Sequence, residues 1–229
     1  MIISNISQRV LMMKVKSEVG TAFTLEHKNI QYVITARHLF KKVGFPSQFN
    51  VECMANNSWT DYKARVFYHE CDIVDIAVLK LEQDQDITVK HDINTDGSNY
   101  DIGQDMYFLG YPYNYTMLVE NEDVHPTPLI KKGMLSGIIK EGDVRVHLLD
   151  GHNNLGFSGG PVYCYDQKPG LDGCIMFNVR IMGVISGYRY NVSNLHNEND
   201  EEMPYFIKEN SGIIRYYDIN YVKDILKDL

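Results

Sequence analysis

"GFSGGPVY", residues 156–163, sets one serine among three glycines, followed by a proline and a strand-forming Val-Tyr pair. A chain carries that much glycine where its backbone bends unusually or passes close to another group. Ser158 is therefore either a nucleophile on a sharp turn or a small residue in a tight loop. The stretch also fits G-x-S-x-G, the pattern of the nucleophile elbow in α/β-hydrolases. In that fold a helix follows the serine, and the Asp and His come later in the chain. Here Pro161 and "VYCY" (162–165) read as strand, and His196 lies in a polar stretch that suits a triad poorly.

The rest of the chain agrees with a β reading. "YVITA" (32–36), "DIAVLKL" (75–81), "MYFLGY" (106–111), "VRVHLL" (144–149), "GPVYCY" (160–165) and "IMGVISG" (181–187) are short β-branched or aromatic runs separated by Gly, Asn and Asp. No long amphipathic helix lies between them, which argues for an all-β barrel or sandwich. The one helix expected is terminal. In "DINYVKDILKDL" (218–229), Asp218 caps while Ile219, Val222, Ile225, Leu226 and Leu229 share one face. A polar, turn-rich seam, "HDINTDGSNYDIGQ" (91–104), divides two β halves, and no internal repeat is visible in the sequence.

Composition excludes several function classes. The 229 residues are 44% hydrophobic, which suits one large domain or two compact halves. A formal charge of -8 and the lack of a basic, aromatic-laced stripe exclude a nucleic-acid partner. No apolar run nears the roughly 18 residues that span a bilayer, so no membrane partner is expected. "MIISNISQRVLMMKVKSEVG" (1–20) does not read as a signal peptide. Cys53, Cys71, Cys164 and Cys174 are irregularly spaced without a CxxC pair, which fits free thiols in a cytoplasmic protein. No metal or cofactor is expected. Residues 191–210, "NVSNLHNENDEEMPYFIKEN", carry five acids between 198 and 209 and read as a solvated loop, with a regulatory protein partner as the alternative use.

Two further segments belong with the octapeptide. "GTAFTLEHKNIQYVITARHLF" (20–40) carries a β run directly into His38, and "CDIVDIAVLKL" (71–81) opens a strand with Asp75. His38, Asp75 and Ser158 follow in that order, 37 and 83 residues apart. Each alone is ordinary. Together they answer a chemical need, because a serine hydroxyl attacks only when a neighbouring imidazole accepts its proton. A carboxylate on the other ring nitrogen fixes the tautomer. The developing oxyanion needs donors already in place, each worth about 2.7–4 kcal/mol. Glycine at 156 lets its own N–H and that of Ser158 point into one concavity.

"VITARHLF" (33–40), "DIAVLKL" and "GFSGGPVY" resemble the three signatures of trypsin-like, chymotrypsin-fold serine peptidases, closest to the bacterial and HtrA-type branch. "GTAF" (20–23) and "GVISG" (183–187) resemble the strands before the histidine and along the substrate cleft. The resemblance spans about residues 15 to 229. It implies two six-stranded antiparallel β-barrels, about 10–92 and 105–216, with a linker at 93–104 and a helix at 218–228. It further implies a serine endopeptidase acting on protein or peptide substrates through an acyl-enzyme. His38 is then the base, Asp75 its orienter and Ser158 the nucleophile, and the backbone N–H groups of Gly156 and Ser158 form the oxyanion hole. Ser186, Gly187 and Tyr188 are expected to pair with substrate backbone. His152 falls at the base of the primary pocket, favouring an acidic or polar residue before the cut bond.

The departures are also informative. Phe157 stands where digestive relatives have an aspartate that pairs with a freshly cut N-terminus, so activation by such trimming is not expected. The usual partner position of Cys164 reads Met106, and no cysteines flank His38. The sequence ends at the terminal helix without an appended peptide-binding domain, so an intracellular protease of this kind needs some other control. Asp72 is the rival to Asp75 for the orienting role. A trypsin-like fold without catalysis, used for binding or sensing, is the alternative function.

Overall fold

Residues alternate along the first strand in a way that explains the architecture. Leu11, Met13 and Val15 point into one core, while Val10 and Met12 point into another. A strand buried on both faces must lie between two packed layers. The computed structural model describes residues 4–82, 86–90, 92–118, 125–169 and 175–229. Cys174 lies outside them.

After a short helix α1 (Ser4–Ser7), six strands close a barrel: β1 (Val10–Val15), β2 (Glu18–His27), β3 (Ile30–Thr35), β4 (Gln48–Ala55), β5 (Ser58–Tyr68) and β6 (Ala77–Leu81). A second barrel follows: β7 (Asp105–Gly110), β8 (Leu129–Glu141), β9 (Val144–Asp150), β10 (Pro161–Pro169), β11 (Ile175–His196) and β12 (Glu202–Asp218). All ladders between these strands are antiparallel. The first barrel runs β1-β2-β3-β6-β5-β4 and the second β7-β8-β9-β12-β11-β10, the same order twice. The two halves thus share a topology that their sequences do not advertise.

Each barrel has its own core, and a third apolar cluster joins them. Phe23, Ile34, Val74 and Ile76 of the first half meet Leu109, Tyr111, Val184 and Tyr217 of the second. The closing helix α2 (Ile219–Lys227) seals this seam with Ile219, Val222, Ile225 and Leu226, and Asp218 caps it by accepting from Asn220 N at 2.8 Å. The polar seam between the halves is held from the second barrel. Buried Arg180 of β11 donates to the carbonyls of Ser98 and Asn99, the latter at 2.8 Å. Cys53 is a buried free thiol, Cys164 is buried and Cys71 is half-buried, and burial pushes the Cys53 thiol up to about 12.

Three local expectations need correction. The run before His38 ends at Thr35, and His38 sits on a 3-10 segment, Arg37–Val43, anchored by buried Leu39 and Phe40. Asp75 precedes β6 by two residues instead of opening it, and β6 is buried on both faces. The acidic stretch 191–210 is a β ribbon, not a loop, because β11 and β12 continue as a hairpin far past the barrel wall.

His147 on β9 is buried, stacked on Tyr216 at 4.8 Å, and edge-on to Tyr100 at 5.3 Å. Burial first, then the Arg145 charge, lowers its pKa from 6.5 to about 4, so it is neutral at pH 7 and its 3.9 Å approach to Asp218 is no ion pair. The unfolded chain binds this proton more readily, so stability is present above pH 6.5 and is lost as pH falls toward 4. The shift makes stability on the order of 3 kcal/mol lower below pH 4 than above pH 6.5. His147→Phe should lose less stability over that window in urea titrations at stepped pH. An unchanged slope would contradict this assignment.

Candidate active site

Three turns bring His38, Asp75 and Ser158 to the cleft between the barrels. The 3-10 segment after β3 buries Leu39 and Phe40 and leaves the neighbouring His38 side chain 42% exposed. Asp75 lies between Val74 and Ile76, both fully buried, so its carboxylate turns the other way. It accepts from His38 N at 2.7 Å through one oxygen and meets His38 Nδ1 at 2.7 Å through the other. Ser186 Oγ donates to that second oxygen at 2.6 Å. Asp72 instead pairs with Arg37 at 2.6 Å and is 87% exposed, against 17% for the Asp75 side chain. Asp75, not Asp72, is the carboxylate on the imidazole.

This pairing sets the electrostatics of His38. Partial burial pulls its pKa down, but the Asp75 hydrogen bond and charge, with Glu18 adding, outweigh it and raise the value above 6.5.

The turn carrying Ser158 is held by shape. Gly156 has φ +106°, and a Cβ there would lie 2.3 Å from the Tyr111 carbonyl. Gly159 has φ +86°, and its Cβ would lie 2.1 Å from the Thr21 carbonyl. Between them Phe157 is fully buried against Phe108 at 5.0 Å, an apolar anchor where an ion pair was not expected. Thr21 of β2 reaches across from the first barrel. Its hydroxyl donates to Gly156 O at 2.6 Å and accepts from Tyr111 N at 3.1 Å, while its own N–H donates to Ser158 O at 2.9 Å. The N–H groups of Gly156 and Ser158 have no acceptor among the described residues, whereas Phe157 N and Gly159 N donate to Asn154 O and Ile185 O. The Leu155 carbonyl, next in line, is already taken by Tyr113 N at 3.0 Å. Two free donors therefore flank the serine.

Ser158 Oγ donates to Ser186 O at 3.1 Å and makes no hydrogen bond to His38 among the described residues. Ser186 thus touches Ser158 through its carbonyl and Asp75 through its hydroxyl. Gly187 and Tyr188 follow it on β11, half-exposed, beyond the end of the β10 ladder at Pro161↔Val184. The His152 ring is exposed, and its carbonyl accepts from Lys131 Nζ at 2.5 Å. Lys131 also donates to Asn154 Oδ1 at 2.7 Å, and burial lowers its pKa. Thr21, Lys131 and the hydroxyl of Ser186 escaped the sequence reading. Thr21 sits inside the noted "GTAF", but nothing local marks a threonine or lysine that acts 135 or 23 residues away. Among the described residues no group of His, Cys, Asp and Glu is arranged to hold a metal.

Solved proteases share the fold. The active form of the Rv3671c protease from M. tuberculosis superposes with a TM-score of 0.59 at 16% identity, covering 98% of this chain and 82% of that one. The HtrA-type protease AlgW with tripeptide gives 0.57 at 14% identity, covering 99% of this chain and 61% of its own. The MamO protease domain from Magnetospirillum magneticum gives 0.52 at 13%, covering 98% and 97%. No curated protein matches by sequence. The family pattern described as "Trypsin-like peptidase domain" matches residues 20–168, a span holding His38, Asp75 and Ser158, and the chain belongs to that family.

Proposed function

We propose that the protein is a serine endopeptidase in which Ser158 attacks the peptide carbonyl, His38 takes its proton and Asp75 holds His38. The observation that carries this reading is the pair of 2.7 Å contacts from Asp75 to the backbone and ring of His38, in the cleft that also holds Ser158. The carboxylate on Nδ1 leaves Nε2 as the base toward the serine. Attack requires the hydroxyl to exchange the Ser186 carbonyl for His38 Nε2. The acyl-enzyme forms as His38 returns the proton to the leaving amine, and water then repeats the cycle. The N–H groups of Gly156 and Ser158 are the donors for the oxyanion.

Substrate backbone pairs with the open edge of Ser186, Gly187 and Tyr188. His152 remains the candidate for side-chain preference, in favour of an acidic or polar residue before the cut bond. The free thiols of Cys53 and Cys71 support a reducing, cytoplasmic setting.

Turnover of a peptide library separates the assignments. Ser158→Ala should abolish cleavage, and Asp75→Ala should reduce kcat by about 10⁴-fold. Asp72→Ala should stay near wild type, and the reverse result would reassign the carboxylate. An unchanged preference in His152→Ala would remove it from the pocket. Because only neutral His38 accepts a proton, kcat/KM should rise with pH through an apparent pKa above 6.5. In a Ser158→Ala background, the imidazole NMR titration of His38 should move down when Asp75 becomes Asn. Thr21→Val, which frees the Gly156 carbonyl and the Tyr111 N–H, should lower kcat about tenfold or more with a smaller change in KM. Wild-type kcat in that variant would show that the Thr21 clamp is not needed.

A further inference from the structure

We propose that the free edge of β11 from Tyr190 to Asn194 is a docking rail for substrate. It takes an extended, non-acidic apolar peptide segment N-terminal to the cut bond, added as a third antiparallel strand to the β11–β12 ribbon. This rests on the reading of Ser158 as the nucleophile.

The edge is open because the two neighbours of β11 differ in length. β10 stops pairing at Pro161↔Val184, while β11 runs on to His196 and pairs there, among the described residues, with β12 alone. Between the irregularities at Tyr188/Tyr190 and Asn194/His196, the register is unbroken from Tyr190↔Asn210 to Asn194↔Phe206. Such an edge offers unpaired backbone donors and acceptors, which is how extended peptides are captured by strand addition.

Among the described residues nothing covers either face of the ribbon. Tyr190, Val192 and Phe206 share one face, where Lys208 Nζ lies 4.4 Å over the Tyr190 ring, and Leu195, Tyr205 and Ile207 are exposed as well. A lone two-stranded ribbon is marginally stable in water, and apolar side chains gathered in one exposed place mark an interaction surface.

Continuity chooses the occupant. The same strand carries Ser186, whose carbonyl accepts from Ser158. A peptide paired with Ser186–Tyr188 that extends farther finds β11 ahead of it for roughly 20 Å, from Tyr188 to Asn194, at about 3.4 Å per residue. Antiparallel addition, the sense of the ladders around it, directs the peptide's N-terminal part outward. The ribbon carries Glu198, Asp200, Glu201, Glu202 and Glu209 against Arg189 and Lys208, so an acidic segment is repelled.

The test uses peptides sharing one cleaved sequence with three, six or nine residues before the cut. They are compared on wild type and on a variant with residues 191–209 replaced by an Asn-Gly turn. Wild-type kcat/KM should rise at least about tenfold from three to nine residues. The variant should cleave the three-residue peptide as wild type does and gain nothing with length. N-methylation of alternate upstream nitrogens should abolish the gain at every second position, as strand pairing requires. Anisotropy of labelled peptides on Ser158→Ala should give the same length ranking without turnover. Equal kcat/KM for all lengths would overturn the rail while leaving the hydrolase reading intact. A concentration-dependent dimer that disappears with the ribbon would assign the edge to a second copy and also overturn it. If no peptide is cleaved at any length, the hydrolase reading fails, and binding to Ser158→Ala still decides the rail: length-dependent affinity supports it, and its absence overturns it.

Discussion

The contact on which the site depends is Thr21 reaching from the first barrel into the turn of the second. One hydroxyl bonds the Gly156 carbonyl and the Tyr111 N–H, and one backbone N–H bonds the Ser158 carbonyl. Thr21 thus holds the peptide between Gly156 and Phe157, while Tyr113 N holds the Leu155 carbonyl that shares a plane with Gly156 N–H, an N–H with no acceptor among the described residues. Glycine at 156 and 159 is what allows the approach, since a Cβ at either would overlap backbone oxygen. The serine turn is therefore shaped by both barrels, and neither half alone could hold it.

The same division governs charge. His38 and Asp75 come from the first barrel, bonded to each other, and Ser186 of the second barrel adds a donor to the same carboxylate oxygen. A carboxylate that is mostly withdrawn from water but satisfied by three donors stays a useful partner for an imidazole. Apolar packing across the seam keeps these groups in register: Phe23, Ile34 and Ile76 on one side, Leu109, Val184 and Tyr217 on the other. The buried Phe157 ring anchors the turn from below, in place of any charge pair at that position.

Much of this was legible in the sequence where chemistry leaves short, dense signatures. The glycines around Ser158, the "DIAVL" run and the "TARH" turn pointed to the candidate site residues and, through their resemblance, to two six-stranded barrels. The strands β4 and β5 were not legible, because a barrel wall facing water alternates polar with apolar residues and "SWTDYKARVFY" hides its core positions Ala64 and Val66. The ribbon was misread for a related reason. Its Asn, Glu and Pro content reads as loop, while its pairing with β12 comes from residues up to 20 positions away. Thr21, Lys131 and Arg180 act through long-range contacts, which no local pattern encodes.

The most direct test of the central claim is the mass of the intact protein after treatment with a fluorophosphonate, which bonds covalently only to an activated serine. The account predicts one adduct, mapped to Ser158, that is absent from Ser158→Ala and strongly slowed in His38→Ala. No adduct on wild type, or one that persists in Ser158→Ala, would contradict it.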